Sequence, residues 1–226
     1  LFVEENIALG HRRLAILDLS PAGHQPMFDH YDQLCIVFNG EIYNFKEIRK
    51  ELPNYLFKTQ NDTEVILAAY LTWGKDCLHK FNGMFSFAIW NKQSKELFIA
   101  RDRLGIKPLY YSMQNDVFLF SSEVRGILAS GLVPRKINKS VLQEYFSYQT
   151  VHAPNTLIKD VLMLLPGHHL TLKEGKMEIQ RWWSPRENYS TASEGKKYSK
   201  VCKDVHTLLY NAVERRLISD VPFGAF

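Results

Sequence analysis

Residues 34–45, LCIVFNGEIYNF, constrain the fold more than any other stretch of this chain. Five consecutive apolar residues, Leu34 to Phe38, show no polar alternation and predict a short strand covered on both faces. Asn39-Gly40 interrupts the run, and this pair suits either a tight turn or close backbone approach to a ligand. Asn44 and Glu47 then have capping-box spacing, which predicts a helix from Asn44 to about Leu52. An amide side chain and bare peptide N–H groups between a buried strand and a capped helix can hold a developing oxyanion. A plain strand-to-helix turn is the simpler alternative, because Asn-Gly is a common turn pair.

The 226 residues suffice for one large domain, or one domain and part of another. Hydrophobic and charged contents of 46% and 23% are those of a soluble globular protein. The net charge of +4 comes without a long single-sign block, so neither nucleic acid nor a membrane is an expected partner. Cys35, Cys77 and Cys202 are odd in number and far apart, which predicts free thiols and a cytoplasmic location. No apolar run approaches the roughly 20 residues of a membrane span. The histidines lack metal-ligand spacing, so no metal site is expected from the residues themselves. GxSxG, P-loop and GxGxxG motifs are absent, and the cysteines sit in strand or helix patterns that make them poor nucleophiles. The chain begins without methionine inside strand-like sequence, 7–18, and ends on the apolar run Val221–Phe226. It therefore reads as a fragment cut at both ends.

Elsewhere the sequence supplies substrate-holding groups. Arg12 and Arg13 interrupt the first strand pattern, either as edge residues or with one of them pointing into a cleft, where a guanidinium fork suits a carboxylate. A short strand is expected near 55–58. A helix follows with Val65, Ile66, Ala69, Tyr70 and Trp73 on an amphipathic face. Asn61 and Glu64 repeat the capping-box spacing; if Asn61 caps, Asp62 is free to face a cationic ligand group. Short runs at 84–90, 96–100, 109–112 and 117–121 predict two consecutive hairpins in one antiparallel sheet. Arg101-Asp102-Arg103 reads as a structural ion-pair cluster. Helices are expected at 123–130, 140–148 and 196–217, a hairpin around Glu174-Gly175, and a polar linker over 184–195.

Eight ordered stretches, among them GHRRLAILDLSPAGHQP (10–26), FNGEIYN (38–44), NDTEVIL (61–67), GMFSFAIW (83–90), ARDRLGIKPLYY (100–111) and FSSEVRGIL (120–128), carry a resemblance. The chain resembles the glutamine-hydrolysing asparagine synthetases of the class II glutamine amidotransferase family. The resemblance implies an α+β fold, a four-layer αββα N-terminal-nucleophile hydrolase sandwich of antiparallel sheets over residues 1–185. A linker (186–195) and the start of an α/β ATP-pyrophosphatase domain (196–226) would follow. It implies release of ammonia from glutamine and, with ATP and Mg²⁺, conversion of aspartate to asparagine; a homodimer is compatible with it. By the same resemblance Arg13 holds the glutamine α-carboxylate, Asp62 pairs with its α-ammonium and Glu41 lines the pocket. Asn39 and Gly40 form the oxyanion hole. The nucleophile of such enzymes is a chain-terminal cysteine, expected upstream of Leu1. Two alternatives share these motifs: an amidotransferase with another acceptor, such as a cell-surface sugar or β-lactam precursor, and a non-catalytic glutamine-binding module.

Overall fold

The computed structural model describes residues 1–12, 21–187, 195–218 and 224. In chain order its first strands are β1 (Phe2–Glu4), β2 (Ile7–Leu9), β3 (Met27–Phe28) and β4 (Leu34–Ile42). Helices α1 (Phe45–Lys50), α2 (Asp62–Trp73) and α3 (Cys77–Lys80) precede strands β5 (Gly83–Asn91), β6 (Glu96–Arg101), β7 (Tyr110–Gln114) and β8 (Val117–Ser121). Then come α4 (Val124–Ala129), α5 (Leu142–Tyr148), β9 (Leu162–Met163), β10 (His168–Lys173), β11 (Lys176–Arg181) and α6 (Tyr198–Arg216). Six strands form an antiparallel sheet in the order β11-β10-β6-β5-β4-β3, and three form a second, β8-β7-β9.

Strand periodicity explains the layering. In β4, Leu34, Ile36 and Phe38 point to one face of the large sheet and join Phe85, Phe87, Ile89 and Phe98 in a core with α1, α2 and α3. Cys35 and Val37 point the other way, joining Ala88, Trp90 and Ile99 against Leu109 and Tyr111 of the smaller sheet's side. The outer face of the smaller sheet presents Tyr110 and Leu119 to Val124, Ile127 and Leu128 of α4. The result is helices, sheet, sheet, helix: the expected four-layer αββα sandwich. Complete burial of each such large apolar side chain contributes about 1.5–3 kcal/mol. Of the α/β domain expected to begin at 196, the described residues contain α6 alone, none of whose side chains is buried.

Several local expectations meet a different tertiary answer. Asn39-Gly40 is not a turn: β4 runs through it in unbroken register with β5, Asn39 opposite Ser86 and Gly40 opposite Phe85. The strand continues because β5 supplies a full-length partner. Asn44 starts α1 but its side chain makes no cap bond. Its amide instead joins Lys80 O (3.0 Å) and Asn82 N (2.8 Å), fastening α1 to the segment before β5. Residues 55–58 form no strand. The two predicted hairpins exist but belong to different sheets, β5–β6 to the large one and β7–β8 to the small one. Helix α2 is buried at every position from Asp62 to Ala69, so it is a central helix and not an amphipathic surface one. The Asn61 cap is present, Oδ1 accepting from Glu64 N at 3.0 Å. The hairpin at Glu174-Gly175, α4 and α6 lie where expected, with ends shifted by a few residues.

Candidate functional site

A cleft of about 670 Å³ opens between the two sheets. One wall is β4 from Val37 to Glu41 with the first turn of α2, and the other is β8 with the loop leading into α4. Asn39, Gly40, Glu41 and Asp62, four of the five residues singled out from sequence, line this one cavity. The fifth, Arg13, lies outside the described residues, as does the upstream strand pattern beyond Arg12. Arg12 itself lines the cleft.

Gly40 has a steric requirement. A Cβ there would fall onto Met84 O and come within 2.7 Å of Phe85 Cα and 2.9 Å of a Phe38 ring carbon. Only glycine lets β4 approach β5 this closely at φ +154°. Asn39 reaches across the cleft: its Nδ2 donates to Ser122 Oγ at 3.3 Å, so a residue just past β8, the edge strand of the second sheet, orients an amide on the first. The second N–H of that amide is left for another acceptor.

Asp62 is 5% exposed and its Oδ2 accepts from Ile42 N at 2.9 Å. Burial pushes its carboxyl up to about 6; nearby Glu41 adds to the rise, while the backbone N–H groups of Ile42 and Thr63 oppose it. Burial also raises the Glu41 carboxyl, with Lys107 pulling it the other way. The lining carries as many cations, Arg12, Lys107 and Arg125, as carboxylates, Glu41, Asp62 and Glu123, so it suits a ligand that presents both an ammonium and a carboxylate group.

Lys107 arrives on a loop organised by Asp102. Expected to be part of an ion-pair cluster, the Arg101-Asp102-Arg103 stretch bonds to backbone instead. Asp102, 1% exposed, accepts from Phe85 N (3.1 Å), Leu104 N (3.1 Å), Ile106 N (3.0 Å) and Lys107 N (3.0 Å). Arg101 donates to the carbonyls of Lys107 (2.7 Å), Leu164 (2.5 Å) and Gly105 (2.7 Å). Arg103 donates to Phe81 O and His79 O. The carboxylate thus joins the Lys107 loop to β5 opposite Gly40. Asp102→Ala would strip the acceptor from four backbone donors and is expected to cost about 3 kcal/mol or more. Urea unfolding of that variant checks it, and a change under 1 kcal/mol would contradict the role given to this carboxylate.

No cysteine lines the cleft. Cys35 and Cys77 are buried, and burial pushes the Cys35 thiol up to about 12 and the Cys77 thiol well above its usual value. Cys202 is exposed on α6. Sequence reasoning missed Gln25, Lys107 and Ser122, all on the cleft wall; they fall in the matched stretches GHRRLAILDLSPAGHQP, ARDRLGIKPLYY and FSSEVRGIL but were given no role.

Fold and site together define an αββα domain with a cleft lined by both carboxylates and cations, and bounded by a strand glycine and an oriented asparagine amide. A family model described as a glutamine amidotransferase domain matches residues 1–183. Asparagine synthetase (glutamine-hydrolyzing) 3 of Bacillus subtilis is 37% identical over 228 residues, covering 99% of this chain and 36% of its own length. Asparagine synthetase (glutamine-hydrolyzing) 1 of the same organism is 38% identical over 228 residues, covering 100% of this chain and 35% of its own. Glutamine phosphoribosylpyrophosphate amidotransferase from B. subtilis, at 21% identity, shares the fold with a TM-score of 0.56 over 76% of this chain and 34% of that one. The chain belongs to the glutamine amidotransferase domain family. It spans about a third of the length of these curated relatives.

Proposed function

We propose that the cleft is the glutamine site of a glutaminase, and that the chain is part of a glutamine-hydrolysing asparagine synthase, an ATP-dependent carbon–nitrogen ligase. The observation that carries this is the convergence of Asn39, Gly40, Glu41 and Asp62 on one cavity, although Asp62 reaches it from a different element. Asp62 pairs with the glutamine α-ammonium, Arg13 holds the α-carboxylate as a bidentate fork and Glu41 lines the same pocket. The Asn39 side chain and Gly40 N–H donate to the oxygen of the scissile amide as it becomes an oxyanion, each such donor being worth roughly 3 kcal/mol. The resemblance assigns the attacking thiolate to a cysteine at the N-terminus of the mature parent enzyme, whose own α-amino group activates it. Attack on the amide carbon, loss of ammonia and hydrolysis of the thioester complete glutamate release.

Residues 1–185 make up the glutaminase in this proposal, 186–195 the linker and 196–226 the start of the ATP-pyrophosphatase domain. In this reading ATP with Mg²⁺ would supply the activation of aspartate in that domain. Among the described residues no group of three or more His, Cys, Asp or Glu side chains could hold a metal ion, and none is given a role toward ATP or Mg²⁺. A cytoplasmic location accords with the three free thiols. Among the described residues, no helix is long and apolar enough to cross a membrane.

The chain as given is expected to release no glutamate from glutamine, since none of its cysteines reaches the cleft. A coupled glutamate assay checks this, and turnover that survives alkylation of all three thiols would refute it. In the whole enzyme, Arg13→Ala and Asp62→Ala are expected to raise the KM for glutamine while ammonia-dependent asparagine synthesis persists. Equal loss of both activities would remove these residues from the glutamine pocket.

A further inference from the structure

Two cross-links tie the start of α2 to β4, and they bracket the stretch from Asn39 to Glu41. On one side Asp62 Oδ2 accepts from Ile42 N at 2.9 Å. On the other stands Gln25, which belongs to neither element and is only 4% exposed. Its Oε1 accepts from Phe38 N at 2.7 Å, and its Nε2 donates to Thr63 Oγ1 at 3.3 Å. Phe38 immediately precedes Asn39, and Thr63 immediately follows Asp62. One buried amide therefore connects the backbone next to the oxyanion-holding pair with the residue next to the ammonium-holding carboxylate. Both ends of that amide are bonded, so β4 and α2 can change their separation on this side only by breaking a buried hydrogen bond.

We infer that Gln25 is a positioning residue that fixes the distance between Asn39-Gly40 and Asp62, and so sets which side-chain length of amino-acid amide the cleft accepts. The inference rests on the glutamine-site reading above. Glutamine and asparagine share an α-ammonium, an α-carboxylate and a terminal amide, and differ by one methylene. A cleft free to contract could seat both. With the two recognition points braced apart, the shorter molecule anchored at Asp62 leaves its amide oxygen a carbon–carbon bond short of the donors, and hydrogen bonds weaken steeply over such a displacement. Discrimination by one methylene reaches about 10- to 200-fold in enzyme pockets, and a rigid frame is what such a difference requires.

The test is calorimetric titration of this chain with L-glutamine and L-asparagine, for the wild type, Gln25→Met, Thr63→Val and the double variant, with near-UV circular dichroism as the check on folding. Wild type is expected to prefer glutamine by at least about tenfold. Gln25→Met, similar in volume but unable to bond at either end, is expected to bring that preference within about threefold, mainly through weaker glutamine binding. Thr63→Val removes only the acceptor for Nε2 and should give an intermediate ratio. The double variant should be no less selective than Gln25→Met alone, because both changes cut one brace. Should Gln25→Met fail to fold, Thr63→Val alone decides, and an undiminished preference in it overturns the inference. Folded variants that bind glutamine with the wild-type preference also overturn it and reduce Gln25 to a structural role. Wild type that binds neither amino acid would overturn the glutamine-site reading, and the inference with it.

Discussion

Asp62→Asn is expected to weaken glutamine binding about 100-fold, the scale of removing one partner from a desolvated charge pair. The substitution isolates charge from geometry, because the asparagine oxygen can still accept from Ile42 N, which Asp62 now holds at 2.9 Å. In the wild type the same carboxylate makes binding depend on pH. Below its folded value of about 6 the group is increasingly neutral, so glutamine affinity should fall by about tenfold per pH unit. Linkage gives a second signature in the ligand-free chain. The folded state holds this proton more tightly than an unfolded aspartate, which titrates near 3.8, so the group's contribution is intact below about 3.8 and is lost as pH rises through about 6. At about 1.4 kcal/mol per pKa unit, the loss above that window is about 3 kcal/mol for this buried carboxyl. Urea unfolding between pH 4 and 7 should show a steeper decline in the wild type than in Asp62→Asn, where the raised Glu41 carboxyl still contributes. Unchanged glutamine affinity in the variant would dismiss Asp62 as the ammonium partner. An identical pH slope in both proteins would dismiss the raised carboxyl.

Gly40→Ala is the second large effect. The new methyl group would collide with Met84 O and the Phe85 backbone, near the start of a nine-residue strand, and paired backbone atoms cannot swing aside as a side-chain tip can. Relief requires β4 and β5 to part at the place where Asn39 is oriented toward Ser122. A stability loss of about 3 kcal/mol or more is expected, the range of overpacked cores with a broken ladder bond added. Gly74→Ala is the matched control. Gly74 also has positive φ, +56°, but nothing lies within 4 Å of the added carbon. With ψ at −138° the position lies outside the left-handed helical region, and backbone strain alone should then cost about 1–3 kcal/mol. Equal losses at the two positions would show that close strand approach is not what Gly40 supplies. In the whole enzyme Gly40→Ala should also abolish glutamine-dependent synthesis before it affects the ammonia-dependent reaction.

How far the sequence carries differs between parts of this site. Asn61 as a cap was readable because its partner, Glu64 N, is three residues away. The fate of Asn44 was not readable: its amide prefers Lys80 and Asn82, which local spacing cannot reveal. Capping by Asn61 left Asp62 free to face a ligand, and the family resemblance gave it the ammonium as partner. Its burial and raised carboxyl come from β4 and Glu41 closing over it. Gln25 fell within the matched stretch 10–26, but a lone glutamine before a proline has no spacing pattern that assigns it a role. Its meaning lies in bonds to residues 13 and 38 positions away.

The sequence by itself determined where apolar periodicity makes strands and helices, which residues bear charge or amide groups fit for an amino acid, and, through ordered motifs, the four-layer class. Those properties are local, or are carried by the identity of side chains. Tertiary structure alone decided that Asn39-Gly40 is paired strand and not turn, that successive hairpins separate into two sheets, and that the arginines around Asp102 bind carbonyls. It also decided that one cleft gathers β4, α2 and the edge of β8. Register, burial and desolvation depend on partners tens of residues away, and a strand such as 34–42 takes its final form from the strand that pairs with it.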